Sequence, residues 1–307
     1  MNASMSSSPF REGRATLNSL SIHFLDWGSS SAEPIVLLHS LSGFCRDWDR
    51  FAASLADRYR LIAVDMRGFG DSDRDPAGRY QPLDFASDAI ALADHLGLGK
   101  FSVIGHSLGG RGALALAHRH PDRIERLVLV DVGPEFDADG QVKLRQRVAG
   151  TPTVFSSLDE AYICLRPHFA KTDEGSLRTW LKDYVRPTPA GLEVKRDPLF
   201  NQRFADALAG RPTPPQPDLW GPWKALTCPV LILRGTLSNL LTPKLVERML
   251  AVNSQARCVE IGDAGHNIPA DNPRALLAAV RDFFHNVTAP GESECVPLKC
   301  ATESKLA

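Results

Sequence analysis

The serine in the segment Gly105-His106-Ser107-Leu108-Gly109 has the local setting of a nucleophile. The five residues read Gly-x-Ser-x-Gly, follow an apolar run that predicts a strand, and open a pattern that predicts a helix. A serine on such a sharp turn has strained backbone angles, and glycines two residues to either side relieve the crowding. Its hydroxyl would lie above the helix N-terminus, which favours developing negative charge. The segment predicts acyl transfer by Ser107, although alone it also fits a plain strand-to-helix turn.

Two further polar segments follow predicted strands. Residues 37–43 read Leu-Leu-His-Ser-Leu-Ser-Gly and could place a backbone amide near Ser107, completing an oxyanion hole with the amide of Leu108. Residues 65–72 form a glycine-containing turn, in which Asp65 and Arg67 are expected to pin the turn rather than react.

The elements that must position these residues are visible as an alternation of apolar runs and helical patterns. Runs rich in Val, Ile and Leu predict strands buried on both faces of a parallel sheet. They lie at 35–38, 61–64, 101–104, 127–130 and 230–233. Helical patterns over 82–96 and 110–120 alternate with them and predict an α/β fold with right-handed crossovers. Polar and apolar residues partly alternate over 16–27, which predicts an antiparallel hairpin that turns at Asn18-Ser19.

This rhythm stops after Asp131, where helical patterns and many aromatic residues replace the strand-like runs. The sequence therefore predicts a helical cap that is inserted into the core and closed by a proline-rich connection. The polar, turn-rich end of the chain predicts a disordered tail. The expected organisation is a flexible N-terminus over 1–11, a core over 12–133 and 226–287, a cap over 134–225 and a disordered tail over 288–307.

Composition restricts the functional classes. The 307 residues carry 35 Lys and Arg against 36 Asp and Glu, which argues against binding nucleic acid or an anionic membrane through bulk charge. No apolar run suggests a membrane span, and the six cysteines form neither a disulfide framework nor a zinc motif. The start has no secretory signal, so the expected location is the cytoplasm. The oligomeric state is not predicted.

Taken together, these motifs resemble the α/β-hydrolase superfamily, and in particular its serine hydrolases with a cap inserted after the sixth strand. The likeness covers residues from about 12 to 286 and includes Gly262-Asp263-Ala264-Gly265-His266. It implies that Ser107 is the nucleophile, that His266 is the base, and that Leu41 and Leu108 supply the oxyanion-hole amides. His39 is expected to shape the oxyanion segment rather than to titrate. The implied mechanism passes through an acyl-enzyme and needs no metal or organic cofactor.

Residues 235–241, which should supply the acid of the expected catalytic triad, depart from the family pattern. Relatives place an aspartate after the serine of this segment, whereas this chain has Asn239 after Ser238. Three interpretations are open: the acid is Asp131 at the end of the sixth strand, Asn239 is an engineered substitution, or the protein is weakened or non-catalytic. We favour Asp131, since a carboxylate at the end of a central strand points toward the ligand crevice.

The expected substrate is a small, largely apolar ester, lactone or thioester, because a cap over the strand ends would enclose a pocket of small-molecule size. Residues 141–225 carry 13 Lys and Arg against 9 Asp and Glu, which fits either anionic substrates or ordinary surface solvation. The alternatives are a C–C bond hydrolase, a cofactor-free lyase or oxygenase on the same scaffold, and a small-molecule binding protein with low turnover. No nucleic-acid or membrane partner is expected.

Overall fold

The computed structural model of the protein describes residues 9–285 and 295–297. The strands of the described residues are β1 (Phe10–Leu17), β2 (Leu20–Trp27), β3 (Glu33–Leu38), β4 (Tyr59–Val64), β5 (Phe101–His106), β6 (Ile124–Val130), β7 (Val154–Phe155), β8 (Val185–Thr188), β9 (Gly191–Val194), β10 (Val230–Gly235), β11 (Ala256–Ile261) and β12 (Cys295–Pro297). The α-helices are α1 (Asp49–Ala53), α2 (Pro82–His95), α3 (Leu108–Arg119), α4 (Ala138–Gly150), α5 (Leu158–Leu165), α6 (Glu174–Tyr184), α7 (Leu199–Leu208), α8 (Trp220–Lys224), α9 (Pro243–Val252), α10 (Ile268–Asp271) and α11 (Pro273–His285). No helix within these residues has the length and apolar character that a membrane crossing requires.

Nine strands form the central sheet, in the order β1-β2-β4-β3-β5-β6-β10-β11-β12. The hairpin β1–β2 is antiparallel, β2 pairs antiparallel with β4, and every later neighbour is parallel. Each apolar run of the sequence is therefore a sheet strand, and the predicted α/β fold is confirmed. The carboxyl ends of β3, β5, β6 and β10 lie side by side, which is where open parallel sheets bind their ligands.

Apolar side chains of the strands alternate between two cores. Val36 and Leu38 of β3 pack on the face covered by α2, α3 and α9, whereas Ile35 and Leu37 pack on the face covered by α1 and α11. Because both faces are covered by helices, the strands need no polar side, which explains their continuous Val, Ile and Leu runs.

The predicted hairpin is confirmed, with Asn18 and Ser19 at its turn. Their φ values of 48° and 67° lie in the left-handed region, which a two-residue hairpin turn requires. The strand begins earlier than the expected end of a flexible N-terminus at residue 11. Phe10 packs against Trp27 with ring centroids 4.8 Å apart, and Arg11 pairs with Asp26, so these contacts hold residues 10 and 11 in β1.

The inserted cap follows β6, the sixth strand, as expected. It contains α4, α5, α6, α7 and α8, but also a small antiparallel sheet in the order β7-β9-β8. The cap is mainly helical, as expected, and its small sheet was not predicted. These strands are two to four residues long and largely not buried, so they leave no run or alternation that a sequence pattern could reveal.

The end of the chain also differs from the expected disordered tail. Cys295–Pro297 form β12, which pairs in parallel with β11 at the edge of the sheet. The remainder of the predicted tail, 288–294 and 298–307, lies outside the described residues.

Candidate active site

Ser107 lies at the turn between β5 and α3, with φ 53° and ψ −113°. Two glycines make this turn possible by allowing backbone to pack on backbone. A Cβ on Gly109 would lie 2.5 Å from the carbonyl oxygens of Leu38 and His39, and a Cβ on Gly105 would lie 2.5 Å from the Cα of Gly110. The Gly-x-Ser-x-Gly pattern is therefore a steric requirement of the turn.

The structure brings Ser107, His266 and Asp131 into one hydrogen-bonded chain. The Nε2 atom of His266 lies 2.8 Å from the Oγ of Ser107, and its Nδ1 atom lies 2.7 Å from Oδ2 of Asp131. Ser107 follows β5, Asp131 follows β6 and His266 lies on the loop after β11, so three strand ends supply the three side chains. An Nδ1–H that donates to Asp131 leaves Nε2 as the acceptor for the hydroxyl proton of Ser107.

The carboxylate of Asp131 is fully buried and held on both oxygens. Oδ1 accepts from the amide of Gly235 at 2.9 Å, and Oδ2 accepts from the hydroxyl of Ser238 at 2.5 Å as well as from His266. Asp131 itself has a left-handed φ of 49°, and its amide donates to the carbonyl of Leu233. Sequence reasoning missed the contact of Ser238, although its position beside Asn239 in the departing segment was the available signal.

Asn239 is not part of this hydrogen-bonded chain in the described residues. Asn239 is exposed, whereas its neighbour Ser238 is buried and donates a hydrogen bond to Asp131. In the described part of the chain, His266 bonds Asp131 and Ser107 and makes no hydrogen bond with Asn239.

Two neutral histidines support this arrangement. The Nε2 atom of His106 donates to the backbone carbonyl of His266 at 2.8 Å, and burial, with the charges of His266 and other neighbours, lowers the pKa of His106 to about 3. His39 accepts from the amide of Met66 on Nε2 and donates from Nδ1 to the carbonyl of Ser40, and burial lowers its pKa. These contacts fit the expected role of His39 in shaping the oxyanion segment.

The two amides expected to form the oxyanion hole are free to donate. In residues 9–285, neither the amide of Leu41 nor that of Leu108 is bonded to a protein acceptor. The segments that carry them are tied together, because the amide of Gly109 donates to the carbonyl of His39 at 3.1 Å. An N-terminal helix amide such as that of Leu108 has no intrahelical partner, so it is available to a ligand.

Asp65 and Arg67 have the structural contacts that were expected of them. Asp65 accepts from the ring of His23 and from the amides of Cys45 and Asp71, while Arg67 pairs with Asp75 and Asp88. In the described residues, the side chains of His23, Cys45 and Asp65 also form a group whose donor atoms lie within 4.8 Å of one another, a spacing that a metal ion could use.

Within this group, Nδ1 of His23 is already hydrogen-bonded to the carboxylate of Asp65, which also accepts from the amide of Cys45. Burial lowers the pKa of His23, but its bonds to Asp65 and Glu12 raise it above the usual value overall. Both ring nitrogens of His23 lie within hydrogen-bond distance of a carboxylate, Nδ1 of that of Asp65 and Nε2 of that of Glu12, so ion pairing accounts for this cluster.

A cavity of about 620 Å³ opens over Ser107 and His266, while Asp131 is buried behind them. On the core side, the cavity is lined by Ser40, Leu41, His106, Ser107 and His266. The cap covers these residues with side chains of α4, of α6 and of the segment after β9. The cap is fixed to the core at this point, since Nε1 of Trp180 donates to Asp47 at 2.7 Å. The cavity has small-molecule size and mixes apolar with charged side chains.

Comparison with known proteins gives concordant matches. The family model described as the alpha/beta hydrolase fold matches residues 33–273. A 2-(acetamidomethylene)succinate hydrolase of Mesorhizobium japonicum is 26% identical over 92% of this chain and 99% of its own length. An esterase of Mycobacterium tuberculosis, Rv0045c, is 31% identical over 85% of each chain. The solved structure of an alpha/beta hydrolase from Novosphingobium aromaticivorans has a TM-score of 0.78 and 28% identity, and the match covers 91% of this chain and 99% of that one.

Proposed function

The chain belongs to the α/β-hydrolase fold family and is a hydrolase, and on that premise we propose that it is a serine hydrolase of small carboxylic esters, lactones or thioesters. One observation carries the proposal: Ser107, His266 and Asp131 form a continuous hydrogen-bonded chain at the base of a cavity. Nucleophile, base and orienting acid in this order are the working parts of acyl transfer.

The proposed reaction has two halves. Nε2 of His266 takes the proton of Ser107 as its oxygen attacks the substrate carbonyl, and the amides of Leu41 and Leu108 hold the oxyanion. The imidazolium then protonates the leaving alcohol or thiol, and the carbonyl re-forms as an acyl-enzyme. In the second half, His266 deprotonates a water that attacks the acyl group, and the proton returns to Ser107 as the acid leaves.

Asp131 acts on this cycle through His266. Its buried carboxylate holds the ring with Nδ1 protonated and stabilises the imidazolium that forms in each half-reaction. The bonds from Gly235 and Ser238 fix the carboxylate, so the ring is oriented before substrate binds. Asp131 is thus proposed as the acid of the triad.

The size of the cavity and the relatives support a small substrate. The two curated relatives are named as a 2-(acetamidomethylene)succinate hydrolase and as an esterase, and both names fit hydrolysis of a small carboxylic acid derivative. C–C bond hydrolysis and cofactor-free lyase or oxygenase chemistry use the same scaffold and are alternatives. A binding protein with low turnover was suggested by Asn239, whose exposed position removes that support.

The test uses p-nitrophenyl acetate and butyrate with Ser107→Ala. We expect hydrolysis by the natural chain and a loss of about 10⁴-fold or more in Ser107→Ala, with fluorophosphonate labelling that disappears in the same variant. Ser42→Ala is the control, because Ser42 also lines the cavity but, among the described residues, makes no hydrogen bond with His266. Labelling of Ser107 without ester turnover would favour the alternative chemistries. No labelling of a folded protein would refute the serine mechanism.

A further inference from the structure

Two arginines of the cap line the cavity over Ser107 without a carboxylate partner. Arg147 lies on α4, and within residues 9–285 its guanidinium makes no hydrogen bond or ion pair. Arg196 follows β9, is 4% exposed, and donates to the amide oxygen of Asn201 at 2.8 Å and to the carbonyl of Leu41 at 3.4 Å. Its Nε is buried and has no hydrogen-bond partner.

Arg111 is another buried arginine with no ion pair among the described residues, but it donates to the carbonyl of Pro134, whereas other buried arginines of the chain pair with carboxylates. Arg60 pairs with Asp26, and Arg67 pairs with two aspartates. An ionised group withdrawn from water without a partner is costly, and two cations near each other add repulsion. Burial and the charge of Arg196 indeed lower the pKa of Arg147. An anionic ligand would remove both costs.

The positive charge reaches the groups around the nucleophile. The Arg147 charge contributes, after burial, to the lowered pKa values of His168 and His106, both of which line the cavity. Two acidic groups of the cavity have other partners. Asp49 pairs with Arg46, and Asp47, bonded by Trp180, has its pKa raised to about 7 by burial.

We propose that Arg147 and Arg196 bind a carboxylate of the substrate, so that the preferred substrate is a monoester or thioester of a short dicarboxylic acid. This rests on the proposed function, because the carboxylate is placed relative to the carbonyl that Ser107 attacks. Arg196 bonds the carbonyl of Leu41, whose amide is the proposed oxyanion donor, so the anion site and the reacting carbonyl are neighbours. A short acyl chain therefore suffices to join them, and the planar guanidinium fork suits a carboxylate.

The first test compares mono-p-nitrophenyl succinate with p-nitrophenyl butyrate, which has the same acyl length but no charge. We expect the natural chain to prefer the succinate monoester. In Arg147→Gln, kcat/KM for the monoester should fall about 10- to 100-fold, mainly through KM, while the value for butyrate changes less than about threefold. Arg145→Gln is the matched control, because Arg145 is on the same helix but bonds Gln141. No preference for the monoester, or equal losses on both substrates, would overturn the proposal.

A second test separates this inference from the proposed function. Succinate binding to the natural chain and to Ser107→Ala is measured by calorimetry, which needs no turnover. We expect binding to both proteins and its loss in Arg147→Gln, even if no ester is hydrolysed. Inorganic phosphate is the comparison anion. An absence of succinate binding, or phosphate binding tighter than succinate at the same arginine, would refute a carboxylate site.

Discussion

The carboxylate of Asp131 contacts His266 in a chain whose usual acid position holds an amide, Asn239. Asp131 reaches Nδ1 of His266 from the end of β6, while the loop after β10 contributes the hydroxyl of Ser238 and the amide of Gly235. In the proposed mechanism this loop orients the acid, Asp131, instead of supplying it. Asn239, the next residue, is exposed and carries none of this function in the described contacts.

At the residue scale we predict unequal effects of two opposite substitutions. Asp131→Asn should lower kcat by about 10⁴-fold, equivalent to about 5 kcal/mol, because an amide cannot stabilise the imidazolium and selects the wrong ring tautomer. Asn239→Asp should change kcat by less than about threefold. Steady-state kinetics on p-nitrophenyl butyrate, with thermal unfolding to confirm that each variant folds, gives the comparison. Full activity of Asp131→Asn would remove Asp131 from the triad.

The sequence predicted these residues to different degrees because their signals differ in range. Ser107 is predicted from five consecutive residues, since the turn that carries it needs its own glycines. Asp131 remained one of three interpretations, because only the packing of β6 against β10 decides which side chain meets His266. Arg147 and Arg196 gave no local signal at all. They meet over Ser107 only after the cap has folded onto the core.

At the scale of elements, the site depends on how closely α3 approaches the end of β3. The amide of Gly109 donates to the carbonyl of His39, and no side chain fits between the two backbones. This contact fixes the first turn of α3, which carries the amide of Leu108, against the segment that carries Leu41. The packing of two elements therefore sets the spacing of the proposed oxyanion hole.

We predict that Gly109→Ala damages both the fold and the activity. A Cβ 2.5 Å from two carbonyl oxygens must push backbone apart, which should cost about 1–3 kcal/mol in the free energy of unfolding. It should also lower kcat on p-nitrophenyl butyrate at least 10-fold, because the two amides separate. Urea unfolding and kinetics measure the two effects.

The control is Gly99→Ala, where a Cβ would meet nothing within 4 Å. Its free energy of unfolding should stay within about 0.5 kcal/mol of that of the natural chain, and its activity should be unchanged. Equal behaviour of the two variants would contradict this account.

The elements themselves were predictable where burial leaves a pattern in the sequence. The parallel strands and the turn at Asn18-Ser19 follow from apolar runs and turn residues, and both are confirmed. The cap sheet was missed because β8 and β9 are four residues each, and β8 contains Pro187, which argues against a strand. Tertiary contacts stabilise them instead, as when Lys195, just after β9, accepts on its carbonyl from the amide of Gly70.

At the scale of the whole molecule, the free energy of unfolding depends on pH through two buried groups, His106 and Asp47, whose effects are opposite. The pKa of His106 falls from 6.5 to about 3 on folding, so the unfolded chain binds a proton that the folded protein rejects. Its contribution to stability is present above about pH 6.5 and is lost as the pH falls toward 3. The pKa of Asp47 rises from 3.8 to about 7, chiefly through burial. Its contribution is present below about pH 3.8 and is lost as the pH rises to 7.

Between pH 4 and 6.5, a rise in pH increases the contribution of His106 to the free energy of unfolding and decreases that of Asp47. We therefore predict that substituting the two residues changes the pH dependence of stability in opposite directions. Relative to the natural chain, His106→Gln should gain stability as the pH falls, with a slope approaching about 1.4 kcal/mol per pH unit. Asp47→Asn should gain stability as the pH rises, with a slope of up to the same size. Urea unfolding at pH 4.5, 5.5, 6.5 and 7.5 gives the two difference curves. Each variant serves as the control for the other. Flat difference curves would show that the two groups keep ordinary proton affinities in the folded protein, and curves that tilt the same way would contradict the direction of one of the two pKa shifts.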